Sequence, residues 1–375
     1  MAWTSLLYTA SVVPKWKCQA TTLTSRSVHD EHYPGWDRFG KASFQIHGLD
    51  ARGKIALRKQ LKRSQVGTFF AQLAPCVIGM EACGGAHFWA RKLTELGHTV
   101  KLLAPQFVKP YVKANKNDAA DAEAICEAVG RPNMRFVPIK NSEQQALLGM
   151  HRARQGFVTE RTAQANQIRG LLAEFGLVIP VGIRSIGSKL PEFLEDAENG
   201  LSGASRALFA RLFEHFRALD RQVEELERAI NAWHREDTAS QRLQAVPGIG
   251  PLTASAPVAS VGDAKVFHNG RQFAARLGLV PRQNSSGGKT NLLGISKRGD
   301  TYLRTLLIHG ARSVLLHLKS HPDQAEGWLA RVAHRRKPNI AAVALANKNA
   351  CTVWTLLAHG RDYQAGYRSA NIAAA

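Results

Sequence analysis

Cysteine chemistry has little to work with in this chain of 375 residues. Cys18, Cys76, Cys83, Cys126 and Cys351 form no C-x-x-C pair and no His/Cys cluster at zinc spacing, which excludes a disulfide framework and a structural zinc. Long apolar runs are missing as well: none approaches the roughly 20 residues that a spanning helix needs. The mildly apolar start, MAWTSLLYTASVVPKWK, lacks a basic leading region and is broken by Pro14, so it does not read as a signal peptide. The expectation is a reduced, cytoplasmic protein with no membrane partner. Acidic residues are scarce too, 29 Asp plus Glu against 50 Lys plus Arg, for a formal net charge of +21. With 45% hydrophobic residues the chain is not disordered by composition. Such a balance suits a folded protein whose partner is a polyanion, DNA or RNA.

The pattern along the chain sharpens after residue 40. ASFQIHGLD and GKIALRKQL read as a hairpin closed around DARG. A helix (SQVGTFFAQL), a buried strand (CVIGMEA), a second helix (AHFWARKLTELG) and a strand (TVKLLAP) follow, an α/β plan with part of its sheet parallel. The Ala- and Glu-rich stretch after Asn117 has no Gly or Pro until Gly130 and predicts a helix. A long Arg- and Gln-rich helix is expected between 141 and 180, then a Gly/Ser/Pro-containing linker over 181–203. Leu208, Leu212, Phe216, Leu219, Val223, Leu226, Ile230 and Trp233 recur at steps of four and three, a coiled-coil-like stripe. It serves an oligomer or a helix hairpin within the chain equally well. LQAVPGIGPLTASAPVASVGD looks like the turn of a helix-hairpin-helix, where the backbone N–H groups of Gly248 and Gly250 could approach a phosphate; an ordinary αα turn reads the same. NIAAVALANKNACTVWTLLAHG is a final apolar helix.

Two sets of side chains carry candidate chemistry. Asp118 and Asp121, three apart at a helix start, share one face. Taken alone they suit capping and the positive end of the helix dipole. Glu81 ends the strand CVIGMEA, at the carboxyl edge of the sheet where α/β sites form. Three carboxylates brought together need a cation, and oxygen-only ligands favour Mg²⁺ or Mn²⁺. Lys101, Lys109, Lys113 and Lys116 precede the helix and suit a passing phosphate backbone. The second set lies in PRQNSSGGKTNLLGISKRG. GGKT resembles the end of a phosphate loop, but Gln283 stands where that motif requires Gly. What remains is a Ser-Ser pair in a flexible Gly loop flanked by Arg282, Lys289, Lys297, Arg298 and Arg304. A hydroxyl among cations suits attack on phosphorus, and a Ser/Gly loop that only grips DNA has the same spacing.

GMEACGG, NKNDAADAEAI, VPGIGPLTA and GLVPRQNSSGGKTNLLGISKRGDTYLR closely resemble the DEDD-type insertion-sequence transposases, described as bridge-RNA-guided serine recombinases. The resemblance runs from about residue 41 to the C-terminus. It implies an α/β ribonuclease-H-like (RuvC-type) domain at 41–150 after an atypical segment at 1–40. A helical linker and coiled coil at 151–240 follow, then a mostly α transposase domain with its helix-hairpin-helix-like motif and serine loop at 241–330, and a C-terminal helix at 331–375. By resemblance Glu81, Asp118 and Asp121 are the E, D and D of a D-E-D-D tetrad that binds Mg²⁺ (or Mn²⁺). Ser286, directly before the glycines, is the nucleophile, with Ser285 as the alternative, and it forms a covalent 5′-phosphoserine link. Nucleic-acid contacts fall to Lys109, Lys113, Lys116, Gly248, Gly250, Arg282, Lys289, Lys297, Arg298 and Arg304. The implied partners are target and donor DNA, an element-encoded guide RNA and further copies of the chain in a dimer or tetramer.

One departure stands out. The family opens with an apolar strand ending G-x-D-x-x-K before its FQVHG. Here FQIHG and Lys41 fit, but Arg38 holds the acidic position and the nearest acid, Asp37, is one place out. A slip of one residue turns a strand side chain to the other face unless a bulge absorbs it. Two further readings follow from that: a nucleic-acid-binding remnant unable to cut, and a resolvase-like nuclease that uses its carboxylates alone.

Overall fold

A computed structural model of the chain describes residues 21–26 by their backbone, and 43–50, 52–112, 118–321 and 327–365. It divides into two compact units, Met1–Asn141 and Ser142–Ala375.

The first unit is a six-stranded mixed sheet with helices on both faces. Its elements are β1 (Thr21–Arg26), β2 (Ser43–Leu49), β3 (Ile55–Lys62), α1 (Arg63–Ala71), β4 (Val77–Glu81), α2 (Ala86–Glu95), β5 (Thr99–Leu103), α3 (Pro105–Val108), α4 (Asp118–Val129) and the short β6 (Phe136–Val137). Strand order is β3-β2-β1-β4-β5-β6, with β1, β4 and β5 parallel at the centre. The β2–β3 hairpin closes where expected: the Asp50 carboxylate accepts from the backbone N–H groups of Arg52 and Lys54, a local turn bond that competes with extension of the strand. The central strand is β1, the Thr-rich TTLTSR at 21–26, within the segment where the sequence shows no apolar strand; the residues directly before Lys41 lie outside the described ones. Threonine is β-branched and favours a strand, but the run shows no apolar period.

Alternation along β4 sorts its residues between two cores. Ile78 and Met80 are buried with Phe44, Ile46, Val66, Phe70, Trp89 and Leu93 beneath α1 and α2. Val77 and Gly79 face α4. A Cβ at Gly79 would lie 2.5 Å from Val129 Cγ2 and 3.1 Å from Ile125 Cγ2. Any side chain there would push α4 off the sheet, an overpacking cost of roughly 1–3 kcal/mol.

The second unit is almost entirely helical: α5 (Ser142–Ala173), α6 (Ile183–Glu195), α7 (Gly203–Glu236), α8 (Thr238–Gln244), α9 (Pro251–Val261), α10 (Gly270–Arg276), a hairpin of β7 (Pro281–Gln283) and β8 (Leu292–Ile295), then α11 (Thr301–Ser320), α12 (Gly327–Arg335) and α13 (Pro338–His359). α6 occupies the stretch expected as a linker, because Ile186 and Leu190, one helical turn apart, are buried against α5 and α7. α5 and α7 run antiparallel: Leu147 meets Ile230, Arg154 pairs with Glu227, Arg161 with Asp220, and Gln164 donates to the Leu212 carbonyl. Of the α7 stripe, Phe216, Leu219, Val223 and Ile230 are buried within the chain, Leu212, Leu226 and Trp233 are half-buried, and Leu208 is exposed while its neighbour Phe209 is buried instead. Behind them, α8 to α11 and α13 build a second core around Leu243, Ile249, Phe273, Leu307 and Val353. α13 corrects one sequence expectation, since its 22 residues are long and apolar enough to cross a membrane. Its Ala342, Ala346, Ala350 and Val353 are buried in that core.

Candidate active site

The carboxylates are set by the two sides of α4 and β4. Glu81 is half-buried at the carboxyl end of β4 and, two residues on from Gly79, lies on the same face of the strand as α4. Val77 and Leu49, at the opposite end of the sheet, belong to the core formed by the second half of α4. The helix therefore runs antiparallel to β4, and its first turn, with half-buried Asp118 and Asp121, is directed toward the Glu81 end. On β2, in register with Thr22 of β1, stands buried His47, whose imidazole is held below its ordinary pKa by burial and by Arg58, against a smaller opposing pull from Glu123 of α4. Sequence reading passed over this histidine, although it lies in the FQIHG stretch.

The donor set is all carboxylate oxygen and suits a hard divalent cation in kind. Yet among the described residues no three His, Cys, Asp or Glu side chains gather closely enough to hold a metal. The fourth position is the weak one. β1 pairs with β4 through Thr21–Ile78, Thr22–Gly79 and Leu23–Met80, so Thr24 is the next residue level with Glu81. No residue of β1 is acidic. Asp37, Lys113 and Lys116 lie outside the described residues.

The serine loop is more ordered than its sequence suggests. Asn284 N–H donates to the Asn291 carbonyl and Lys289 N–H to the Ser286 carbonyl, each at 3.0 Å. Gly287 and Gly288 at the tip have φ of 55° and 75°. Two consecutive left-handed residues define a type I′ hairpin turn, which glycine adopts without strain. The expected flexible loop is thus a β-hairpin. Its two serines differ. Ser285 Oγ accepts from Gln283 Nε2 at 2.9 Å and from the Asn291 N–H at 3.1 Å. The hydroxyl of Ser286, exposed beside the turn, has no hydrogen-bond partner among the described residues. Arg282, Lys289, Lys297 and Arg298 are exposed along the same hairpin and its base.

Glycines hold that base in place. A Cβ at Gly278 would meet Arg298 O at 2.2 Å, and one at Gly299 would meet Arg276 O at 1.8 Å. Lys297 is held at φ 54°, an uncommon position for a side-chain-bearing residue, by its N–H bond to the Gly278 carbonyl. Two expected phosphate contacts are corrected here. Arg304 is 7% exposed and donates to the carbonyls of Leu277 and Arg298 and to Thr301 Oγ1, so its charge ties the hairpin to α11. Gly248 is packed against α11, where a Cβ would sit 2.8 Å from the Gly310 carbonyl oxygen, so the approach it permits is to a helix backbone. Gly250 is the exposed N-cap of α9, and Lys109 is exposed beyond α3; both stay accessible.

Comparison with known proteins places the chain. A profile of the transposase IS116/IS110/IS902 family matches residues 240–326, and a transposase profile of the IS110 DEDD type matches residues 35–176. A probable family 20 transposase from Pseudomonas aeruginosa is 54% identical over 327 residues, 87% of this chain and 97% of the relative. The transposase for insertion sequence element IS1328 from Yersinia enterocolitica is 44% identical over 86% of this chain and 95% of its own length. The transposase for element IS1111A from Coxiella burnetii is 44% identical over 91% and 93%. With its ribonuclease-H-like DEDD domain and helical C-terminal region, the chain belongs to the IS110/IS116 family of DNA transposases.

Proposed function

We propose that this transposase cuts and rejoins DNA through Ser286, with Glu81, Asp118 and Asp121 as the residues that would close on a divalent cation such as Mg²⁺ and an element-encoded RNA selecting the sites. The observation that supports the serine is its unengaged, exposed hydroxyl beside a rigid turn among four exposed cations. In the step proposed, Ser286 Oγ bonds to phosphorus as the bond to the DNA 3′-oxygen breaks. The serine proton passes through solvent to that oxygen, leaving a 3′-hydroxyl and a 5′-phosphoserine. One phosphoester replaces another, so attack by a second 3′-hydroxyl reverses the step and exchanges strands. Arg282, Lys289, Lys297 and Arg298 offset the charge that builds on the phosphoryl oxygens. A divalent cation held by the three carboxylates would supply charge neutralisation at a phosphate. The net charge of +21 supports contact with DNA and RNA together.

A second reading, a copy impaired in metal-dependent cleavage, is favoured by a central strand with no acid. The test of the serine uses the full chain on the element's own DNA with its flanks. Ser286→Ala is expected to abolish the denaturant-resistant protein–DNA adduct and to keep DNA binding, while Ser285→Ala keeps both. An adduct that persists in Ser286→Ala overturns the assignment.

A further inference from the structure

On the face of the sheet away from Glu81, α1, α2 and the end of β3 enclose a groove of ≈ 1530 Å³. Four features of its lining belong together. Its charges are of one sign, since Lys62, Arg63 and Lys92 line it and no carboxylate does. Gly67 lies on the floor, and the Lys92 side chain reaches over it, with Cε 3.8 Å from where a Cβ would stand. Its aromatic content is high: Phe88 is 45% exposed on the rim, edge-on to Trp89 at 5.2 Å. Finally, Trp89 is 7% exposed and its indole N–H has no acceptor among the described residues. The Arg63 guanidinium covers that indole at 5.3 Å.

A buried indole N–H without an acceptor costs free energy, and the same ring carries on its face a cation that would draw an anion to this part of the groove. We infer that this groove binds a single strand of DNA, with a phosphate held by Arg63, Lys62 and Lys92, an acceptor brought to the Trp89 N–H and an unpaired base stacked on Phe88. Charge of one sign selects a polyanion. The exposed aromatic face selects an unpaired base, because a duplex hides its base faces. DNA is the polymer that a transposase must open, and strand exchange leaves single strands to be held. The sheet lies between this groove and Glu81, since Ile78 and Met80 of β4 face α1 and α2 while Gly79 faces α4, so the site lies apart from the carboxylates and does not depend on the role of Ser286.

The experiment uses the full chain with labelled oligodeoxythymidylate, oligouridylate and a DNA duplex, read by fluorescence anisotropy, with photocrosslinking of iodouracil-substituted DNA followed by peptide mapping. Phe88→Ala, a change at an exposed position, is expected to weaken the DNA single strand roughly tenfold and to leave duplex binding within about twofold. Trp89→Phe, which keeps the ring and removes the N–H, is expected to weaken it severalfold. The Lys62→Gln/Lys92→Gln pair is expected to lower the single-strand salt slope by about 1.4. Crosslinks are expected on the peptides holding Arg63 and Phe88–Trp89, and to persist in Ser286→Ala. Equal losses for single strand and duplex, a loss confined to oligouridylate, or crosslinks that map only elsewhere overturn the proposal. Thermal melting of each variant confirms the fold, and if Trp89→Phe melts early, the exposed Phe88→Ala and lysine variants decide.

Discussion

Two adjacent serines of identical chemistry are told apart by what their hydroxyls already do. Ser285 accepts two bonds that close the hairpin, so its removal loosens the turn; Ser286 is spoken for only through its carbonyl. The same reasoning separates cations: Arg298 is exposed, while Arg304 spends its donors on carbonyls. A third case is His151, which is 1% exposed on α5. It is bonded to Tyr302 Oη at 2.9 Å and Ser255 Oγ at 3.1 Å, and burial, helped by Arg154, lowers its pKa to about 4. The folded chain thus refuses a proton that the unfolded chain takes up near pH 6.5. Above that pH the bonded neutral ring contributes fully. As pH falls from 6.5 toward 4 the unfolded state gains protons that the folded state lacks, and stability drops by roughly 3 kcal/mol in total. NMR titration of the His151 ring should show it neutral at pH 5. A midpoint near 6.5 would mean that the ring is solvated and the network is open.

At the scale of elements, β1 decides how complete the carboxylate site is. Its register with β4 puts Thr24 level with Glu81, at the carboxyl end of two parallel strands. An acid there would stand level with Glu81 at the same edge of the sheet. Thr24→Asp is therefore expected to raise Mg²⁺ affinity severalfold by calorimetry and to raise metal-dependent cleavage. Asp37→Ala should leave both unchanged. The reverse pattern, loss on Asp37→Ala and none gained by Thr24→Asp, would show that Asp37 supplies the first carboxylate. How much of this was legible followed from where local signals exist. The β2–β3 hairpin, β4 and α4 announce themselves through apolar period, turn residues and the Gly/Pro-free run from Asp118. β1 does not, because a polar Thr-rich strand in the middle of a sheet has no alternation to read. α6 was masked by its Gly and Pro neighbours although Ile186 and Leu190 are one turn apart. The serine hairpin was legible in SSGGK only to the extent that Gly-Gly specifies a type I′ turn. The burial of Arg304 and the packing of Gly248 on Gly310 are tertiary facts that no local window holds.

For the whole molecule the governing quantity is charge, +21 spread over both units rather than confined to one helix. Spread charge sets how steeply binding depends on salt, while the positions of individual cations set which of them contribute. Each phosphate neutralised on duplex DNA steepens the dependence by about 0.9 in log–log slope. Arg282, Lys289, Lys297 and Arg298 are exposed around the serine hairpin, so those four alone give a slope near −3.6. With six to ten phosphates contacted overall, duplex affinity should fall roughly 10³- to 10⁵-fold between 50 and 200 mM salt. Lys289→Ala should make the slope shallower by about 1 and weaken all sequences alike. Arg304→Ala should leave the slope unchanged and lower the melting temperature, because it strips a buried tie between the hairpin and α11 rather than a contact to DNA. Salt titrations of the three proteins measure this directly. A flat dependence in the parent chain would remove the polyanion argument, and a slope change in Arg304→Ala with unaltered melting would return Arg304 to the DNA surface.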